Sequence, residues 1–139
     1  MQIYTSYFGN MKFIKQNGFQ PVAISRYIPK DYTGPSFQML APSEELLADI
    51  KSGKITWIQY KDKFHSELLF KNIADIADGL RNIAFDYNND RLVLCCYEQP
   101  EFHCHRHIVA DFFNEFEILG GDVHELNGND LRIQSIELF

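Results

Sequence analysis

The sequence predicts an α/β fold in a single domain spanning residues 1–139: a mostly parallel, twisted sheet with helices on both faces, a Rossmann-like three-layer arrangement. Three observations predict it. Short β-branched and aromatic runs alternate with amphipathic stretches along the chain. A length of 139 residues suits one core better than two, and no repeat, low-complexity tract or linker divides it. Hydrophobic residues make up 45% and aromatics 14%, which is the opposite of a disordered composition.

Ile3 to Phe8 reads as a first strand closed by the Gly9-Asn10 turn, with Thr5, Ser6 and Tyr7 at its exit. Met11 to Asn17 suits a short helix before Gly18. Pro21 to Tyr27 reads as a second, buried strand with Arg26 at its end, proline being acceptable at the first position. Ile28 to Pro42 holds prolines, a glycine and no sustained periodicity, so it is a long loop, and such loops tend to carry function. Ser43 is the expected N-cap of a helix that starts with Glu44-Glu45 and stops near Gly53. Thr56 is expected to cap a helix running to Leu69. Ile73, Ile76, Ala77, Leu80, Ile83 and Ala84 then mark a clearer amphipathic helix that ends at Asn88-Asn89-Asp90.

The third strand, Arg91 to Glu98, leads through a short loop into a helix that buries Ile108, Val109, Phe112, Phe113 and Phe116 and is ended by Gly120-Gly121. Asp122 to Leu126 and Leu131 to Leu138 read as short strands joined by a hairpin-like turn at Asn127 to Asp130.

Three of the five histidines and all three cysteines lie between Cys95 and His107. If the third strand is parallel to the first two, Glu98 and the start of the helix at His103 share the carboxyl edge of the sheet, where ligands of open α/β sheets bind. A helix N-terminus offers free N–H groups, and a guanidinium in its first turn suits phosphate or carboxylate. The expected site is therefore an anion pocket in which Arg26 and Arg106 hold the ligand and Thr5, Ser6 and Ser25 donate hydrogen bonds. Glu98 orients Arg106 or serves as acid or base, and His105 or Cys104 takes part in proton transfer or attack. The competing structural reading pairs Arg106 with Glu98 and makes the cluster a lock between strand and helix.

Cys104 sits where a thiol pKa is lowered, at a helix start beside His105 and Arg106, yet a buried structural thiol fits the position equally. Cys95 and Cys96 must point to opposite faces and are read as core. An odd number of cysteines makes no disulfide framework, and reduced thiols are expected. Cys96, His103, Cys104, His105 and His107 offer zinc donors, but no Cys-x2-Cys or HExxH spacing supports a metal, so none is expected. His65 and His124 read as ordinary surface or edge residues; the aromatics Tyr4, Tyr7, Phe8, Tyr27, Tyr32, Trp57, Tyr60 and Tyr97 offer stacking platforms for a base, though most read as core.

The formal net charge of −6 argues against coating nucleic acid through bulk positive charge. No apolar run reaches the length of a membrane span and the first residues lack a signal peptide's pattern, so the expected compartment is the cytoplasm. There is no GxGxxG after the first strand and no Walker sequence, so no cofactor is expected. No sequence feature assigns a reaction or an oligomeric state.

Leu94-Cys95-Cys96-Tyr97-Glu98 followed by Cys104-His105-Arg106-His107 resembles the domain-of-unknown-function family number 488, whose strand ends in Cys-Tyr-Glu before a Cys-His-Arg helix start. The likeness extends to Tyr4-Thr5-Ser6-Tyr7-Phe8, to Ile24-Ser25-Arg26 before Pro29, to Leu40-Ala41-Pro42 and to the helix carrying Tyr60. His103 departs from it, since related sequences often run from phenylalanine straight into Cys-His-Arg. The resemblance implies an α/β domain with Arg26, Glu98, Cys104, His105 and Arg106 in one pocket, and no settled activity.

The function expected first is binding of a phosphate-bearing or other anionic small ligand, nucleotide or nucleic-acid-related, at that pocket. The alternatives are a non-catalytic binding or regulatory module with a structural Cys-His-Arg cluster, and a thiol redox or zinc protein.

Overall fold

Residues 92–96 are all apolar, and the strand they form with Arg91, β3 (Arg91–Cys96), lies inside the sheet with five of its six residues buried. The computed structural model describes residues 1–97, 103–128 and 130. In it β3 pairs in parallel with β1 (Gln2–Tyr7) on one side and β2 (Gln20–Ala23) on the other, and β4 (His124–Glu125) joins β1, giving the order β2-β3-β1-β4 with every pairing parallel. All carboxyl ends therefore lie on one edge.

Strand alternation sends neighbouring side chains to opposite faces, and each face has its own core. Leu92 and Leu94 pack with residues from α2 (Glu44–Lys51), α3 (Trp57–Phe70), α4 (Ile73–Asp86) and α5 (His105–Glu115). Val93 and Cys95 pack on the other face with Tyr4, Phe19 and Ile14 of α1 (Met11–Gln16). Fully buried Leu68, Leu80, Phe64 and Phe112 supply the larger core, each removing on the order of 2 kcal/mol worth of apolar surface from water. Among the described residues α2, α3, α4 and α5 pack on one face and α1 on the other, so the predicted three-layer arrangement is unequal.

The caps follow the sequence. Ser43 Oγ accepts from Leu46 N at 3.2 Å, and Thr56 forms a capping box with Gln59. Gly53 adopts a left-handed backbone, φ +77°, just beyond the end of α2. Among the described residues no helix is long and apolar enough to cross a membrane.

Three expectations need correction. The second strand ends at Ala23 rather than Tyr27: Ile24 N–H still donates to Cys95 O at 3.0 Å, but the Ile24 carbonyl accepts from His105 Nε2 at 2.7 Å, and Ser25 Oγ turns onto the Tyr27 carbonyl at 2.6 Å. The helix after the cluster ends at Glu115, leaving Phe116 40% exposed, and the two glycines end a following 3-10 turn instead. Gly128 and Asp130 are helical rather than part of a hairpin, with Asp130 Oδ2 accepting from Asn127 N at 2.9 Å as a helix-start cap does. The predicted strand Leu131 to Leu138 lies outside the described residues.

Candidate functional site

Parallel strands bring the end of β3, the segment after β2 and the start of α5 to the carboxyl edge, and a cavity of about 600 Å3 opens there. Cys96, Cys104 and His105 form its floor, and Ser25, Arg26 and Tyr27 one wall. Lys51 at the end of α2 and Trp57 and Tyr60 at the start of α3 also line it. Trp57 stacks on His103, with ring centroids 4.4 Å apart, and on Tyr60 at 5.1 Å. Burial pushes the Tyr60 phenol well above its ordinary pKa, the nearby Glu67 carboxylate adding to the effect, so the hydroxyl stays protonated.

His105 is held from behind. Its Nε2 lies 2.7 Å from the Ile24 carbonyl, which can only accept, so Nε2 carries the hydrogen and Nδ1 of the neutral ring is bare. Nδ1 faces Cys104 Sγ at 4.0 Å. Burial, helped by the Arg106 charge, lowers the His105 pKa to about 4, although the Ile24 bond works the other way. The imidazole is neutral at pH 7 and turns a lone pair towards the Cys104 sulfur.

The sulfurs of Cys96 and Cys104 meet within bonding reach, with their Cα atoms 7.4 Å apart. Cys96 is buried, as its reading as a core residue expects, but the expectation of reduced thiols is corrected: the strand end and the N-cap of α5 converge and the structure joins the two sulfurs as a disulfide. Cys104 makes no capping hydrogen bond through its side chain, which leaves the sulfur to the cavity floor. Cys95 keeps its predicted role, buried on the other face, where desolvation pushes its thiol up to about 12. Cys96 Sγ, Cys104 Sγ and a ring nitrogen of His105 lie within 4.8 Å of one another, a donor set able to hold a metal ion.

Arg106 is 0% exposed and does not line the cavity. Its Nε and Nη2 donate to the two carboxylate oxygens of Glu125, each at 3.0 Å, and its Nη1 donates to Cys96 Sγ at 3.3 Å. The guanidinium lies over the Tyr7 ring at 5.8 Å. It therefore sits beneath the floor rather than in the pocket.

Thr5 is tied into the same arrangement, Oγ1 donating to Glu125 Oε1 at 2.7 Å, while buried Ser6 accepts from Asn10 Nδ2 at 3.1 Å; neither lines the cavity. Ser25 lines it but spends its hydroxyl proton on Tyr27 O. Arg26 lines it with Nε donating to the Pro42 carbonyl at 3.0 Å. Glu98 lies outside the described residues.

Lys51 and Glu125 were not singled out by sequence reasoning; His103 was weighed only as a zinc donor, and Trp57 and Tyr60 only among aromatics able to stack a base, most of which were read as core. The aromatics carried the same signal as core residues, and Glu125 gave none, because its partnership with Arg106 exists only once β4 is laid beside β1. His107 Nε2 is buried without a hydrogen-bond partner among the described residues.

An all-parallel α/β sheet with a thiol and imidazole floor at its carboxyl edge defines the class: an α/β protein with a ligand-sized, chemically furnished pocket. The family model described as DUF488-N3a, active DUF488-N3 subclade, matches residues 13–117, and the chain belongs to the DUF488 family. No curated protein and no solved structure matches the chain.

Proposed function

We propose that the chain binds a phosphate-bearing small ligand carrying a planar ring, a nucleotide in the simplest case, with the anion held by Arg26 and Lys51 and the ring lying against the Trp57 and His103 stack. The supporting observation is the pairing of cations with rings in one cavity. Arg26 and Lys51 have no carboxylate partner within 4 Å among the described residues, and both border a cavity of about 600 Å3, a size usual for small-ligand sites. Lys51 Nζ lies 5.9 Å from the Tyr27 ring centroid, a loose contact that an incoming phosphate can replace. Arg26 commits one donor to Pro42 O and keeps the outer fork for a bidentate contact.

In this reading the ligand's reactive end faces Cys104 and His105, and neutral His105 accepts a proton at Nδ1. Arg106 is a positioning residue that fixes Cys96 and, through Glu125, the sheet edge. The description of the subclade as active agrees with a floor that carries reactive groups.

The chain has a single tryptophan, so Trp57 reports on its own site. Adenosine monophosphate, adenosine and inorganic phosphate should be titrated separately while Trp57 emission is followed. The nucleotide is expected to quench, adenosine to bind more weakly, and Arg26→Ala and Lys51→Ala each to weaken the nucleotide about tenfold, the value of one charge-assisted hydrogen bond. Equal binding of adenosine and its monophosphate would sink the anion reading.

The buried Arg106–Glu125 pair favours a second role for that part of the cluster, a structural lock between α5 and β4, and the two roles coexist.

A further inference from the structure

We infer that Cys96, Cys104 and His105 in the reduced protein form a site for a divalent metal of the zinc type, a Cys2His set whose remaining coordination position opens into the cavity. The inference rests on the donors alone, so it stands or falls separately from the hold of Arg26 and Lys51 on the anion; with the metal bound, His105 Nδ1 is a ligand and its proton-accepting role belongs to the metal-free protein.

The donors come from a strand end and the start of a helix, with seven residues between Cys96 and Cys104 and none between Cys104 and His105. That is not finger spacing. A fold can nevertheless gather what a spacing rule misses, and here the three ligand atoms lie within 4.8 Å of one another. Tetrahedral zinc sets its donors roughly 3.5–3.8 Å apart, from Zn–S of about 2.3 Å and Zn–N of about 2.0 Å, so the two sulfurs, joined in this structure, must part on reduction to take the ion between them. The Cα atoms of the two cysteines are 7.4 Å apart, beyond the usual span of about 4.4–6.8 Å for a disulfide.

The surroundings are those of a ligand shell. A metal-binding imidazole ordinarily donates its second N–H to a fixed acceptor, and His105 Nε2 does so to Ile24 O at 2.7 Å, leaving Nδ1 for the metal. Cys96 Sγ receives Nη1–H of Arg106 at 3.3 Å, which favours the thiolate a metal requires. Two thiolates neutralise a divalent ion, while the Arg106 charge is already answered by Glu125. All three donors border the cavity, so an ion has a path in and a fourth ligand, water or a ligand oxygen, has room. Three protein donors plus one open position is the pattern of a catalytic rather than a structural zinc.

The test uses the full chain, reduced and handled without oxygen. Cobalt(II) serves as the spectroscopic probe and zinc(II) as the competitor. One equivalent of cobalt should give a thiolate-to-metal charge-transfer band and the visible bands of a tetrahedral ion, and zinc should abolish both. Cys96→Ser and Cys104→Ser should each weaken zinc at least about 100-fold and His105→Gln at least about tenfold, while Cys95→Ala leaves the cobalt spectrum unchanged. Wild-type protein should melt higher with added zinc, a readout that stands even where a cysteine variant folds poorly. No charge-transfer band with wild type, no zinc-dependent rise in melting temperature, or a band that survives loss of either cysteine overturns the inference. So does an intact mass two daltons low after reductant treatment, which would mark a permanent Cys96–Cys104 disulfide.

Discussion

Nη1 of Arg106 donates to Sγ of Cys96 at 3.3 Å from beneath the cavity floor, so a fully buried charge is spent on a sulfur that faces the ligand space. The same guanidinium grips both oxygens of Glu125. One side chain thus links the helix, the last described strand and the end of β3.

That link predicts a large stability effect. Arg106→Ala leaves the Glu125 carboxylate, whose side chain is only 25% exposed, without its partner, and should cost about 3 kcal/mol in urea unfolding. Arg106→Lys keeps the charge but not the two parallel bonds, and should fall between Ala and wild type. A loss under about 0.5 kcal/mol for the alanine variant would rule out the lock.

The two adjacent cysteines of β3 should differ sharply in reactivity. Burial holds the Cys95 thiol up at about 12, despite the lowering effect of Arg106, so iodoacetamide at pH 8 should leave it unlabelled in the native, reduced protein and label it after denaturation. Peptide mass spectrometry reads this directly. Labelling of native Cys95 at the rate of a free thiol would contradict its place in the core.

The cap of α3 carries the ring wall with it. Thr56→Ala removes the capping box ahead of Trp57 and should cost about 1 kcal/mol, with a red shift of the Trp57 emission as the first turn frays; Thr56→Ser should restore both. An unchanged emission maximum in the alanine variant would mean that the cap does not hold the wall.

The edge strand should confer a small pH dependence. At His124 burial acts to lower the pKa, but the hydrogen bond from Nε2 to Asp130 Oδ1 at 2.9 Å and the attraction of Asp130 and Asp122 outweigh it, and the value rises above 6.5. A raised folded pKa means that the native state binds the proton more tightly than the unfolded chain. The stabilisation is therefore fully present below pH 6.5 and lost as the pH climbs through the raised value. His124→Gln should flatten the stability profile in that window, measured by urea midpoints from pH 6 to 8. A profile with the same slope in the variant would assign the dependence elsewhere.

The sequence carried the local physics well. Ser43 and Thr56 cap the helices they were expected to cap, and Cys95 and Cys96 part to opposite faces because a strand allows nothing else. The carboxyl edge was legible from the alternation of strands and helices, and it holds Arg26, Cys104 and His105 around one cavity. Arg106 was placed correctly along the chain but not in depth, since its burial depends on Glu125, nineteen residues away in sequence on a two-residue strand with no strong signal of its own. Lys51 gave no signal, and Trp57 none that set it apart from core aromatics, for a related reason. They reach the site from the end of one helix and the start of the next, and no periodicity records which end of a helix borders a hollow.

The bond from His105 to Ile24 has a genetic corollary. Its acceptor belongs to the peptide backbone, which every amino acid supplies alike, so exchanging the side chain at position 24 leaves the tautomer of the ring untouched. Such a tether is lost through slippage of the second strand against the third and not through a point change at its own position. A screen of single substitutions that reads out imidazole chemistry should accordingly return hits around residues 20–23 and 92–95, where register is set, and silence at 24 for any side chain of similar volume.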